Sequence, residues 1–295
     1  MMKNKTNLEN TNPKSLIAEL IFLACLCIIA LRATFTEGIQ LSSTTPQLNS
    51  IVVSLTFSFI LIVLFAFWCY RLIFSAKLTY RFTAIEIPLI LFLIAAGVSV
   101  YFASNKRLAI NSLVILTSPV MLAVLLIQIT DRPSKVKILL IVIAALGFLS
   151  TVQCLNQLFS DNNMAVQQYQ QDPESMLKPL GISKGTFQQF LFEHRLYSKG
   201  INSFFMTSNS AGSFSILASF AAFALFYNSL KRFKAGLISR DPFIATAVAF
   251  AAVAAGLIIT KSKGAIASAF ISALILAFYL KFPKIVKANP KKLLT

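Results

Sequence analysis

The feature that constrains this chain most is a succession of long apolar runs, at about 15–32, 50–70, 84–103, 108–129, 137–159, 208–228, 243–260 and 264–280. A helix crosses a bilayer with about 20 mostly apolar residues. Lipid offers backbone N–H and C=O groups no partner, so each run must satisfy its own backbone as a helix. The alternating pattern of a transmembrane β-barrel is absent. Composition agrees: 57% of residues are hydrophobic and 13% charged, with a mean hydropathy of +0.75. Those values exclude a disordered chain and a soluble globular enzyme. The expected fold is an all-α, polytopic membrane helix bundle with about eight transmembrane helices. Residues 1–295 read as a single membrane domain. The first run, Leu16 to Leu31, follows Lys3, Lys5 and Lys14 in the manner of a signal peptide. It has no convincing small-x-small cleavage site and reads as a retained first helix.

The formal charge is +17, from 27 Lys and Arg against 10 Asp and Glu. The bases fall between the apolar runs, so they read as topology determinants beside anionic headgroups rather than as a nucleic-acid surface. With the N-terminus inside, the inner segments carry about twice as many Lys and Arg as the outer ones. Both termini are then cytoplasmic. Cys25, Cys27, Cys69 and Cys154 lie in or beside apolar runs, with no metal-ligand spacing, and read as small buried hydrophobes.

The longest polar segment, 160–207, falls on the outer side as a loop. Its first half, Asp161 to Pro179, is rich in Gln and Asn and reads as flexible. In its second half, Thr186 and Gln189 fit a capping box. Phe187, Phe190, Leu191 and His194 then follow helical spacing, with Gln188, Gln189 and Glu193 off that face. The expectation is a short amphipathic helix ended by Gly200, lying on the outer membrane surface or packed on the bundle.

No P-loop, GxSxG, HExxH or His/Cys cluster is present, no metal or cofactor is expected, and no catalytic residue is assigned. The lone histidine, His194, reads as a surface residue. Glu19 and Glu86 lie within apolar runs near the inner interface. There they reach headgroups or basic residues such as Arg81, or hold a coupling ion. More informative are two outer segments. Arg195 to Gly212 combines Arg195, Lys199, Gly200 and Asn209 at the start of a helix. Thr260 to Ala265 is a tight turn between two apolar runs and carries Lys261, Ser262 and Lys263. If the two meet, they form a cationic pocket suited to a lipid-linked phosphate or pyrophosphate. The alternative is that each cation anchors its own helix to headgroups.

At these residues the chain resembles the O-antigen ligase family, which includes O-antigen polymerases. Members carry a pattern like R-x-x-G-x-F-x-x-x-N-x-x-A, met here by Arg195, Gly200, Phe205 and Asn209, with a longer Arg-to-Gly spacing and Ala211-Gly212 in place of a single Ala. They also carry a turn like T-x-S-R-G-A, which here is Thr260-Lys261-Ser262-Lys263-Gly264-Ala265, with Lys263 in place of Arg. The segment with Ser99, Ser104, Asn105 and Arg107 looks similar too. The resemblance implies a glycan transferase working on the outer side. It takes its glycan from an undecaprenyl-pyrophosphate carrier and passes it to a lipid or glycan acceptor, with no metal and no nucleic acid. Arg195 and Lys263 would bind the pyrophosphate, with Lys199 and Lys261 adding to the cationic pocket. Asn209 and Ser262 would orient the donor. The family places its catalytic His on a later outer loop, so the resemblance implies the N-terminal and central part of such an enzyme. A transporter and a non-catalytic membrane scaffold are the alternatives.

Overall fold

The computed structural model describes residues 13–35, 50–74, 80–198, 200–205 and 207–281. Among them there are no strands. The elements are α1 (Pro13–Thr34), α2 (Ser50–Phe74), α3 (Glu86–Phe102), α4 (Lys106–Ile129) and α5 (Pro133–Asn156), followed by a π-helical turn (Gln157–Asp161). Then come α6 (Asn162–Gln171), α7 (Pro173–Leu177), α8 (Phe187–Tyr197), α9 (Ser208–Lys234), α10 (Arg240–Ile259) and α11 (Lys263–Lys281). All eight expected apolar runs form helices. Among the described residues six helices are long and apolar enough to cross a membrane; Glu86–Phe102 and Lys263–Phe278 are shorter apolar helices. At 17 residues, α3 reaches about 26 Å. The chain groups into two compact units, Met1–Ala33 with Pro46–Leu139, and Thr34–Thr45 with Leu140–Thr295.

In the first unit α4 packs against α2 and α3. Pro119 sits inside α4 and has no N–H to give to the carbonyl of Ile115. The Ser118 hydroxyl donates to that carbonyl at 3.2 Å. Its oxygen lies 3.0 Å from the Ser58 hydroxyl of α2, in a buried pair. Ser118 has only one hydrogen, so Ser58 is the donor between helices. One side chain thus repairs the proline gap and joins two helices.

The α4–α5 connection is closed by Lys135, whose side chain is only 5% exposed. Its ammonium has three hydrogens and three acceptors: Glu19 of α1 at 3.2 Å, Asp131 at 2.9 Å and the Ile129 carbonyl at 3.0 Å. It therefore satisfies one of the orphan carbonyls at the end of α4. Burial acts to raise the Asp131 pKa, but the Lys135 hydrogen bond and charge win and hold it below its ordinary value. Glu86 does not reach Arg81, as the sequence suggested. It is buried against the Thr83 backbone N–H and hydroxyl and the Tyr80 hydroxyl. Arg81 instead gives its backbone N–H to Gln128 and accepts from the same side chain. Among the cysteines, Cys25 and Cys154 are buried, while Cys69 is partly exposed and Cys27 exposed.

The second unit is held by small residues. An ideal Cβ on Gly147 would stand 2.3 Å from the Ala218 Cβ. One on Gly256 would stand 2.1 Å from the Thr151 hydroxyl and 2.9 Å from its Cβ. Ala144, Ala218, Ala222 and Val253 form the adjoining buried cluster. Lipid tails are as apolar as leucine, so helices gain from close backbone approach rather than from excluding water.

The segment Asp161 to Pro179 is a correction to the sequence reading. It is helical, as part of the π turn, α6, α7 and a 3-10 turn at Lys178–Leu180. Its Gln and Asn content conceals a stripe of Ala165, Tyr169, Met176 and Leu177 that packs with Leu196 of α8. Asp172 accepts from the backbone N–H groups of Glu174 and Ser175, and Pro173 supplies a helical φ at the first position. Gly181, at φ +66°, closes this piece. Its N–H donates to the Lys178 carbonyl, and the Ile182 N–H donates to that of Leu177.

Two outcomes follow. Ser118→Ala, which orphans the Ile115 carbonyl and the Ser58 hydroxyl, should cost about 1–3 kcal/mol of thermal stability in detergent. Gly256→Leu, which cannot be accommodated against Thr151, should cost about 1–3 kcal/mol or more, read as a lower unfolding midpoint.

Candidate functional site

The site is built where the end of α5, the turn before α9 and the α10–α11 connection come together, all within the second unit. Gln157 leads out of α5. Its carboxamide accepts from the backbone N–H groups of Asn202 and Ser203 and donates to the Ser203 carbonyl, all at 2.8–2.9 Å. Ser203 adopts a left-handed φ of +52°. Its buried hydroxyl donates to the Ser150 carbonyl and accepts from the Ser150 hydroxyl. The turn is therefore fixed to α5 by side chains standing in for water. An ideal Cβ on Gly200 would lie 3.6 Å from the Ser208 hydroxyl, which donates to Asn202.

Helix α9 begins with Thr207, whose hydroxyl accepts from the Ser210 N–H. The expected meeting of the two outer segments occurs here. The Ser262 hydroxyl donates to the Asn209 side-chain carbonyl at 2.9 Å. The same Ser262 oxygen accepts from the Ala265 N–H at 3.3 Å, so Ser262 caps α11 while it holds α9. Close approach requires Gly212: a Cβ there would lie 2.6 Å from the Ala265 Cβ and 2.9 Å from the Ser262 Cβ. This gives a physical reason for the Ala211-Gly212 pair, since Ala211 is itself fully buried.

The connection itself is tight. Thr260 is buried and its hydroxyl donates to the Leu257 carbonyl, and Lys261 turns the chain at φ +55°. Lys261 and Lys263 are exposed on either side of buried Ser262. The first turns of α9 and α11 meet at this point, and each helix N-terminus carries about half a positive charge. Two lysines and two helix N-termini make a concentrated positive region suited to an anion. Of the expected site residues, the structure brings Asn209, Lys261, Ser262 and Lys263 together. The side chain of Arg195, in α8, and all of Lys199 lie outside the described residues. Sequence reasoning missed Gln157, Ser150 and Ser203; a glutamine at the very end of an apolar run was the available signal.

Beside the site, α8 starts at its expected residue. The Thr186 hydroxyl accepts from the Gln189 N–H at 3.4 Å. Gln189 reaches back to the Gly185 N–H rather than to that of Thr186. Gly200 does not end the helix, which stops at Tyr197 with Ser198 as its cap. His194 is exposed, as expected. Glu193 accepts from the Tyr169 hydroxyl at 2.6 Å and the Gln189 amide at 2.8 Å, and these bonds lower its pKa.

A carboxylate whose pKa is depressed by folding stabilises above its unfolded pKa, and that contribution is lost as pH falls through the folded value. Proteolysis between α6 and α8 should therefore speed up below the ordinary carboxylate range. Glu193→Gln should flatten that acid dependence. At the site, a thermal double-mutant cycle on Asn209→Ala and Ser262→Ala should return a coupling of about 1 kcal/mol. No family model, curated protein or solved structure matches this chain.

Proposed function

We propose that the chain is a multi-pass glycan transferase, or the N-terminal and central part of one, of the bacterial inner membrane and of the O-antigen ligase or polymerase type, with about eight spans and both termini cytoplasmic. Its donor is a glycan on undecaprenyl pyrophosphate, held at the outer surface, and its acceptor is a lipid or another glycan. The observation that carries this reading is the Asn209–Ser262 hydrogen bond. It joins the two segments on which the family resemblance rests and leaves Lys261 and Lys263 exposed beside it. Transfer breaks the bond between the sugar carbon and the pyrophosphate oxygen and forms one to an acceptor hydroxyl. The acceptor loses a proton and the pyrophosphate leaves as an anion. Fixed cations and helix N-termini aimed at the leaving group favour that charge as it develops. Lysine supplies a point charge where arginine would grip with a fork. The transporter reading has less support, because Glu19 is engaged by Lys135, and Glu86 by Thr83 and Tyr80.

The test is glycan transfer in membranes from cells expressing the variants in the full-length context that includes the later outer loop of the family. Lys261→Gly removes a cation and relieves a left-handed lysine, whose cost is about 1 kcal/mol, so the protein should remain folded. Lys261→Gly with Lys263→Ala should lower transfer at least about tenfold, the loss of about 1.4 kcal/mol of leaving-group stabilisation. Lys263→Arg should retain activity. Unchanged transfer in the double variant would overturn the pyrophosphate site. Glycan-independent solute uptake by vesicles would favour a transporter.

A further inference from the structure

Helix α8 has two faces with different surroundings. Leu196 is buried and Gln189, Phe192 and Glu193 are partly buried, and this face meets α6 and α7 through Tyr169, Met176 and Leu177. The other face carries Phe187, Phe190, Leu191 and His194, all exposed, with the half-exposed Tyr197 at its edge, its ring against Tyr169. Phe187 is 72% exposed and Phe190 61%, and their rings stack on one another at 6.3 Å. Exposed phenylalanines are ordinary on a lipid-facing span, but this helix belongs to a polar segment between two spans. The periodicity is one-sided, at positions i, i+3, i+4, i+7 and i+10, so the ridge is a continuous stripe.

The position of α8 in the chain decides what can cover that stripe. The helix cannot move far from the bilayer. Its far end runs into Gly200, whose carbonyl accepts from Asn162 at 3.5 Å and whose backbone passes beside Ser208, the first residue of a candidate span. Gln157, one residue beyond the apolar α5, holds Asn202 and Ser203. The apolar surface of α5 also continues outward beyond its last residue: Phe148, Leu149 and Val152 are exposed along α5, and Phe159 is 72% exposed in the turn that follows. The stripe on α8 thus belongs to a segment tied at both ends to the membrane level.

We infer that the Phe187–Phe190–Leu191 ridge of α8 docks on the lipid bilayer, inserting into the headgroup–acyl boundary of the same leaflet that the site faces. The occupant is lipid, whatever the site itself binds, so this inference does not rest on the transferase reading. Insertion clamps the α6–α8 layer between its own core and the membrane and fixes its height above the bilayer.

The test uses the single native tryptophan. Trp68 is replaced by Phe, and Phe187→Trp, Phe190→Trp or, as a water-side reference, Gln188→Trp is introduced into the full chain. Each protein is reconstituted into phosphatidylcholine vesicles with or without bromine on the upper acyl carbons. A ridge lying about 5–10 Å into the boundary should give at least about twofold quenching in the Phe187→Trp and Phe190→Trp proteins, with blue-shifted emission. The Gln188→Trp protein should instead be quenched by aqueous iodide. Quenching of the ridge positions by iodide alone would overturn the proposal. Blue-shifted emission insensitive to both quenchers would also overturn it, since a protein surface would then cover the ridge.

Discussion

Lipid makes no hydrogen bonds, and the structure is organised around that constraint. At three interruptions a side chain takes the place that water would fill. Ser118 answers the carbonyl freed by Pro119. Lys135 answers the last carbonyl of α4 while pairing with Glu19 and Asp131. Gln157 satisfies both backbone groups of left-handed Ser203. Each group is also a link between segments, so the same bonds that make the backbone tolerable in an apolar setting define the tertiary contacts.

Close backbone approach is the second half of the design. Gly147, Gly256 and Gly212 each sit where a methyl group would collide with a neighbouring helix. At Gly212 the space saved lets Ser262 come within hydrogen-bond distance of Asn209. Packing in the helix pair thereby sets the position of Lys261 and Lys263.

The positions of the helices were legible because apolar runs have one structural solution in lipid. The turn at Thr260–Ala265 was legible as well, and so was the start of α8, from Thr186 and Gln189. The content of residues 161–179 was not. Its apolar residues are few and its stripe is complete only against Leu196, a partner well beyond the segment in sequence, so polar composition hid a helix held by tertiary contact. The Gln157 clamp was only half legible: a glutamine at the end of an apolar run marks a polar group in need of a partner, but the partner arrives 45 residues later. Conversely, the sequence offered Glu86 headgroups, a basic residue such as Arg81 or a coupling ion, whereas local Thr83 and Tyr80 satisfy it first.

The central claim is that the start of α9 and the α10–α11 turn form one site. It is tested most directly by cross-linking Asn209→Cys with Ser262→Cys in membranes, after Cys25, Cys27, Cys69 and Cys154 have been replaced by Ala. The account predicts rapid bridging by a short bis-thiosulfonate reagent, and none when Asn209→Cys is paired with Ser239→Cys at the opposite end of α10. A failure to bridge 209 and 262, or equal bridging of both pairs, would contradict it.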